Sequence, residues 1–289
     1  MHRVLGVDLG ATNLRVALGD GDGAILARAD EPVPASGEEL AARVAAVGRT
    51  LAGDTWDQVR AAGVGVPGIP AGDGFAGLIA GAAGLTGAPL RRLLEQALGV
   101  PVVLENDLNL AALAEHHVRG VADLAFIGVG TGVGMGIVAQ GALLRGATGA
   151  AGEVGHLPFG DRLSAGADGL GPLEAVAGGA GLAARWGSGT AQDVFAAAAR
   201  GDARARALLD DQARALATAI RAVQALLDPS LIVLGGGIGL RADVLERVRA
   251  ELGPSSPAVE ASVLGEDAGL LGAVGAAEDA WSGRRARGV

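Results

Sequence analysis

The chain has 289 residues, half of them hydrophobic, and a formal net charge of -9. That acidity argues against a nucleic-acid partner, because phosphate contacts need clustered cations. Cysteine is absent and all 23 basic residues are Arg, which excludes disulfides, thiolate metal sites, a cysteine nucleophile, a Schiff-base lysine and the Walker lysine.

The length suggests about two domains. Met1-His2-Arg3 leads straight into an apolar strand-like run rather than a secretory signal. No stretch approaches the ~18 uninterrupted apolar residues of a membrane span, so a cytoplasmic protein with no membrane partner is expected. The 50 glycines follow in part from a composition rich in Ala, Gly and Val, so only their placement carries information.

In chain order, "RVLGVDLG", "ATNLRVALGD" and "GDGAILARADEPV" read as a β-meander, with Gly-Asp-Gly as a hairpin turn. "EELAARVAAVGRTLA" has helical spacing, and "VRAAGVGVPGIP" is a buried strand closed by Pro and Gly. "PLRRLLEQALG" is a helix with a glycine stop, "VPVVLEN" a strand and "LNLAALAEHHVRG" a helix. The pattern then restarts, since "LAFIGVGTGVGMGIVAQGALLRG" again reads as strand, glycine turn, strand, turn, strand. Residues of about 157 to 225 are expected to be helical with glycine-rich connections. "LLDPSLIVLGGGIGL" is a strand entering a triple-glycine turn, and "RADVLERVRAEL" a helix. A last strand near "AVEASVL", the helix "GLLGAVGAAEDAW" and a frayed tail complete the chain. The repeat indicates two lobes, each opening on a hairpin around a phosphate-sized turn.

Three strand-to-glycine turns recur, at Asp8–Thr12, Gly128–Gly132 and Gly235–Gly237. Glycine lets the backbone approach a phosphate and turn its N–H groups inward. None fits G-x-G-x-x-G, so a Rossmann reading fails on spacing. Asp8 sits in an apolar strand, where a charge is costly unless paired or metal-linked; a structural salt bridge and an outer-sphere Mg²⁺ ligand are both open. Asp107 follows a strand and opens a helix, either as an N-cap or as a base held at low pKa by the helix N-terminus. Glu153 and His156 lie three apart in a glycine-rich loop, and Glu174 follows in "GPLEAVAGGAG". His116-His117 reads as a solvated helix end.

Taken together and in order, these motifs resemble the ROK family of sugar kinases and repressors. "GVDLGATNLRVAL", "GVGVPG", "ENDLNLAALAE", "GVGTGVGMGIVAQGALLRGATGAAGEVGHLPFG" and "LIVLGGGI" carry the likeness over nearly the whole chain. The resemblance implies an α/β, actin-like (ribonuclease H-like) ATPase fold of two lobes with an interlobe active-site cleft. The lobes would span 1–117, joined by a C-terminal helix of about 268–282, and 118–267. It implies an ATP- and Mg²⁺-dependent sugar kinase acting on a hexose or amino-hexose hydroxyl. Asp107 would be the base, and Asn106, Glu153, His156 and Glu174 would bind the sugar. Asp8 would help hold Mg²⁺ through water. Gly10, Thr12, Gly130, Thr131 and Gly132 would line the phosphate path, with Gly235 and Gly236 near adenosine. A homodimer is a family expectation.

Two departures stand out. The family's zinc cysteines fall on Ala165, Ala167 and Pro172, so no zinc is expected. Its sugar-loop Asn falls on Gly84, which puts one hydroxyl contact in question. The alternative function is a non-catalytic sugar sensor of the same family without a DNA-binding domain. A kinase acting on a carboxylate is disfavoured because Glu153 would repel an anion.

Overall fold

The structure is a computed structural model that describes residues 2–10, 13–76, 83–166, 169–254 and 258–283. Its described residues fall into two compact units. One comprises those of Met1–Val118, Ala142–Ala150 and Asp267–Val289; the other comprises Arg119–Gly141 and Ala151–Glu266. Residues 142–150, given to the second lobe by the sequence reading, thus group with the first unit.

The first unit opens with the expected meander, β1 (Arg3–Leu9), β2 (Asn13–Asp20) and β3 (Ile25–Pro32). Helix α1 (Gly37–Ala52) starts where the Ser36 hydroxyl accepts the Glu39 N–H at 3.2 Å, satisfying one orphan donor of its first turn. Strand β4 (Val59–Val66) runs parallel to β1. The stretch after it, read as the closure of that strand, forms a separate hairpin, β5 (Ile69–Ala71) and β6 (Gly74–Ala76), turning at Gly72 with φ of 57°. Helix α2 (Leu90–Leu98) buries Leu90, Leu94 and Leu98 and stops at left-handed Gly99, as helices commonly do. Strand β7 (Val102–Asn106) and helix α3 (Asp107–Arg119) follow without a connecting loop. The sheet order is β3-β2-β1-β4-β7, with β1, β4 and β7 parallel. Its core is aliphatic, built from Leu5, Val7, Val16, Val64, Leu40, Val44, Leu90 and Leu94.

The second sheet repeats that order. Strands β8 (Leu124–Val129), β9 (Val133–Ala139) and β10 (Ala142–Leu143) come first. Four helices follow: α4 (Glu174–Ala177), α5 (Gly179–Trp186), α6 (Ala191–Ala199) and α7 (Ala203–Leu227). Then come β11 (Leu231–Gly235), the short α8 (Gly236–Gly239), α9 (Ala242–Leu252) and β12 (Val259–Ala261). The order is β10-β9-β8-β11-β12. Long α7 buries Leu209, Leu216, Ile220 and Val223 in a core with Ile127, Val129, Ile232 and Leu234.

Two expectations are corrected. Residues 157–166 and 169–173 hold no helix; a lone β-bridge joins Phe159 and Arg162, and the Leu173 N–H meets the Leu157 carbonyl at 3.1 Å. Two prolines and several glycines in this stretch remove donors and add backbone entropy, which a helix does not tolerate. The triple-glycine stretch becomes α8 rather than a plain turn. The expected frayed tail lies outside the described residues beyond 283.

The chain then returns to the first unit as α10 (Ala268–Ser282). This helix lies against β1 and β4 so closely that a Cβ on Gly63 would stand 2.1 Å from the Ala273 carbonyl oxygen, and one on Gly6 2.6 Å from Val274. Glycines in β1, β2 and β4 are the floor on which it seats. Among the described residues, no helix is long and apolar enough to cross a membrane.

Candidate functional site

The carboxyl ends of the parallel strands in an open α/β sheet are where ligands bind. In the first unit, register places Asp8 of β1 opposite Gly65 of β4, and Gly65 opposite Glu105 of β7. Asp8 is 6% exposed and ion-paired with Arg15, its cross-strand partner on β2. Arg15 also lies 3.8 Å from Asp267, both carboxylate oxygens of which accept from Arg28 Nη1 at 2.8 Å. Burial pushes the Asp8 carboxyl above its ordinary pKa, and Arg15 opposes that only in part. The salt bridge anticipated as one reading of Asp8 therefore exists. The Gly10 N–H meets the Asn13 carbonyl at 2.9 Å across the first glycine turn; Thr12 lies outside the described residues.

Glu105, Asn106 and Asp107 divide the labour at the β7–α3 junction. Asn106 is the helix cap, since its Oδ1 accepts the N–H groups of Leu108 and Asn109, each at 3.0 Å. Its Nδ2 donates to the Gly68 carbonyl at 3.1 Å. Glu105, 6% exposed, accepts the Asn106 N–H at 2.8 Å, the Asn109 side-chain amide at 2.9 Å and Arg145 Nε at 2.6 Å. A buried carboxylate with three donors is a satisfied anchor. Capping thus falls to Asn106 rather than Asp107, whose Oδ1 accepts the Leu108 N–H at 2.9 Å.

Asp107 is half-buried. Its backbone sits over Gly65, where an added Cβ would come within 3.5 Å of the Asp107 Cα. A Cβ on Gly269, at the start of α10, would lie 3.6 Å from both the Asp107 carbonyl and Asp8 Oδ2. Asp8, Asn106 and Asp107 are therefore gathered at one end of one sheet.

The second unit gathers Gly130–Gly132, Glu153, His156 and Glu174. The Gly130 N–H closes the turn on the Gly132 carbonyl at 3.0 Å; Thr131 is exposed and a Cβ on Gly130 would meet nothing within 4 Å. Val154–His156 is one 3₁₀ turn, with Val154 and Gly155 buried and Glu153 and His156 exposed at its two ends. Glu153 flanks the turn with a non-helical ψ of 53°, and its carbonyl accepts the His156 N–H at 3.1 Å, so the turn brings the two residues close in the chain's path. Gly152 has φ of 102° and lies so close to Met135 that a Cβ would stand 1.9 Å from its carbonyl oxygen, leaving glycine as the one residue that fits.

Glu174 Oε1 accepts the Val133 N–H at 3.1 Å and Oε2 accepts the Gly171 N–H at 3.4 Å. Gly235 and Gly236 pack on Phe126 and Val129, at 2.1 Å and 2.6 Å from a notional Cβ. Of the zinc-cysteine positions, Ala167 lies outside the described residues. Gly84 is exposed.

Sequence reasoning did not identify Arg15, Arg145 or Asn109 as parts of this machinery. Arg15 could have been found by counting hairpin register from Asp8. Arg145 carried no local signal, because its partner lies 40 residues away.

Among the described residues, no group of three or more His, Asp or Glu could hold a metal ion directly. Mg²⁺ keeps several waters and takes one or two carboxylates plus substrate phosphates. Asp8 suits that outer-sphere role, and the donor set suits no all-protein cage. The Gly130–Gly132 turn, open above Gly130 and with Thr131 exposed, fits close approach by a phosphate.

Two sheets of one strand order, each opening on a hairpin around a glycine turn, define an α/β protein with the actin-like two-lobe ATPase fold. The sequence pattern of the ROK family matches residues 4–280, and the chain belongs to that family. It is 37% identical over 284 residues to an N-acetylmannosamine kinase from Salmonella typhi, covering 93% of this chain and 96% of that one. A bifunctional NanE/NanK enzyme from Brucella melitensis is 41% identical over 195 residues, covering 64% of this chain but 36% of that longer protein. Among solved structures, a ROK hexokinase from Thermus thermophilus has a TM-score of 0.81 at 34% identity, covering 95% of this chain and 97% of that one. A ROK glucokinase from Streptomyces griseus, solved with glucose and AMPPNP, has a TM-score of 0.77 at 29% identity, covering 96% and 99%.

Proposed function

We propose that this chain is a sugar phosphotransferase that moves the γ-phosphoryl group of ATP to a hydroxyl of a hexose or N-acetylhexosamine. The observation that carries the reading is the β7–α3 junction. Asn106 caps the helix and Glu105 is clamped by Arg145 and Asn109, so Asp107 is held in place by neighbours that do the structural work. Asp107 accepts the sugar hydroxyl's proton, and that oxygen bonds to the γ-phosphorus. The bond from phosphorus to the β–γ bridging oxygen breaks, and ADP leaves with that electron pair. A carboxylate is a weak base, but phosphoryl transfer rests mainly on positioning and charge stabilisation.

Glu153 and His156, exposed at the two ends of their turn, hold sugar hydroxyls. Asn106 offers a second Nδ2 hydrogen, and Glu174 its remaining lone pairs, to the same substrate. Gly10, Thr12 and Gly130–Gly132 receive the phosphates, with Gly235 and Gly236 beside the adenosine. Mg²⁺, bound with the nucleotide, would neutralise phosphate charge, with Asp8 holding its water shell. In a chain without lysine, backbone N–H groups and that ion replace the usual ammonium.

N-acetylmannosamine is the first acceptor to test and glucose the second, following the relatives named above. The test is coupled ADP release over N-acetylmannosamine, N-acetylglucosamine, glucose, mannose and fructose. Sugar-dependent release is expected, reduced by about 10²–10⁴-fold in Asp107→Asn, the usual worth of a positioned base. Sugar binding with no ADP release from the wild type would instead establish a sensor and overturn the kinase.

A further inference from the structure

We infer that Glu174 is a positioning residue that locks the second phosphate turn to the Glu153–His156 turn, so that nucleotide affinity depends on it even with no sugar present. The inference rests on the kinase reading and deepens it. Glu174 was expected to bind the sugar, yet its carboxylate accepts the N–H of Val133, 41 residues away at the end of the phosphate turn, and that of Gly171, three residues upstream and packed on the Gly155 carbonyl.

The surroundings are cleared for this side chain. A Cβ on Gly132 would lie 2.2 Å from Glu174 Oε1. One on Gly155 would lie 3.3 Å from the Glu174 Cβ, and one on Gly178 3.3 Å from its Cγ. These glycines belong to the phosphate turn, the Glu153–His156 turn and the entry to α5. The far side of the phosphate turn is held as well, because the Gly179 N–H donates to the Gly130 carbonyl at 2.8 Å and the Ala180 N–H to the Thr131 carbonyl at 2.9 Å.

A turn binds phosphate through N–H groups whose directions are set in advance, since orienting them at binding costs affinity. Carbonyl contacts to α5 fix one side of this turn, and Glu174 fixes the other. The same side chain packs on Gly155, between the two residues proposed to hold the sugar. Glu174 thus ties the geometry of the donor site to that of the acceptor site.

The test is calorimetric titration of AMPPNP with Mg²⁺, in the absence of sugar, into the wild type, Glu174→Gln and Gly132→Ala. In Glu174→Gln the amide places a donor against a backbone N–H. In Gly132→Ala the new methyl displaces the carboxylate while leaving its chemistry intact. Each variant is expected to weaken AMPPNP about tenfold or more, as loss of a charge-assisted hydrogen bond implies. If one variant does not fold, judged by circular dichroism, the other decides. AMPPNP affinity within about twofold of wild type in the folded variants, with a raised sugar KM, shows that Glu174 serves the sugar alone and overturns this inference while leaving the kinase reading intact. A wild type that does not bind AMPPNP overturns both.

Discussion

The two sheets share one strand order and one opening hairpin but handle charge in opposite ways. In the first, the strand before the glycine turn carries Asp8, matched in register by Arg15. In the second, the strand position two before the turn glycine is Gly128, matched by Gly134, and the acid near the turn, Glu174, arrives from 41 residues beyond its Val133 contact. A carboxylate built into a strand brings its counter-charge with it through register. One delivered from a distant helix needs clearance instead, which is why glycines surround it. A scaffold can thus recur while its chemistry is supplied separately at each copy.

Moving the first sheet's charge into the second is the most severe way to break this comparison. Gly128→Asp places an unpaired carboxylate in a buried strand and is expected to cost about 3–5 kcal/mol. Adding Gly134→Arg, opposite in register, is expected to recover part of the loss in urea denaturation. No recovery would mean that register does not supply the compensation.

Gly63→Ala probes the floor under α10. Its methyl would stand 2.1 Å from a backbone oxygen, and overpacking of this kind costs about 1–3 kcal/mol or more. The denaturation midpoint should fall with the chemistry proposed for Asp107 otherwise intact, read as kcat at low temperature.

Arg145→Met separates anchoring from the catalysis proposed at the junction. It leaves Glu105 buried with two neutral donors, and the expected loss is about 2 kcal/mol, since Arg145 is itself partly exposed. A fall in kcat exceeding any change in sugar KM is expected, because Glu105 precedes Asp107 by two residues.

The smallest effect is electrostatic. Asp193 accepts the backbone N–H and the hydroxyl of Thr190 at the start of α6, and these bonds, the backbone one first, lower its pKa below the ordinary 3.8. A depressed carboxylate contributes stability above its unfolded pKa and loses it as pH falls through the folded value. Asp193→Asn should therefore melt lower than wild type at pH 7, and the gap should close as pH falls below about 4. At Asp8 the shift has the opposite sign because burial outweighs its partner.

Much of the fold was legible because strands alternate or run apolar between glycine turns, and helices carry their own stops, as Gly99 does for α2. The candidate site was legible as residue types but less so as roles. Asp107 was a plausible cap from sequence, but Asn106 holds the N–H groups of both Leu108 and Asn109, whereas Asp107 reaches that of Leu108. The stretch after His156 was misread as helical because its glycines and prolines were absorbed into a helix-rich average.

By itself, the sequence determined what is local: the repeated strand-turn-strand pattern, the absence of lysine and cysteine, and the acids at element ends. Periodicity and backbone propensity act over a few residues, so they can be read from neighbours alone. Tertiary structure decided the pairings: Arg15 with Asp8, Arg145 with Glu105, Glu174 with Val133, and α10 on the glycines of the first sheet. Those depend on which distant segments meet when apolar surface is buried, and a buried charge takes whichever donor that packing brings within reach.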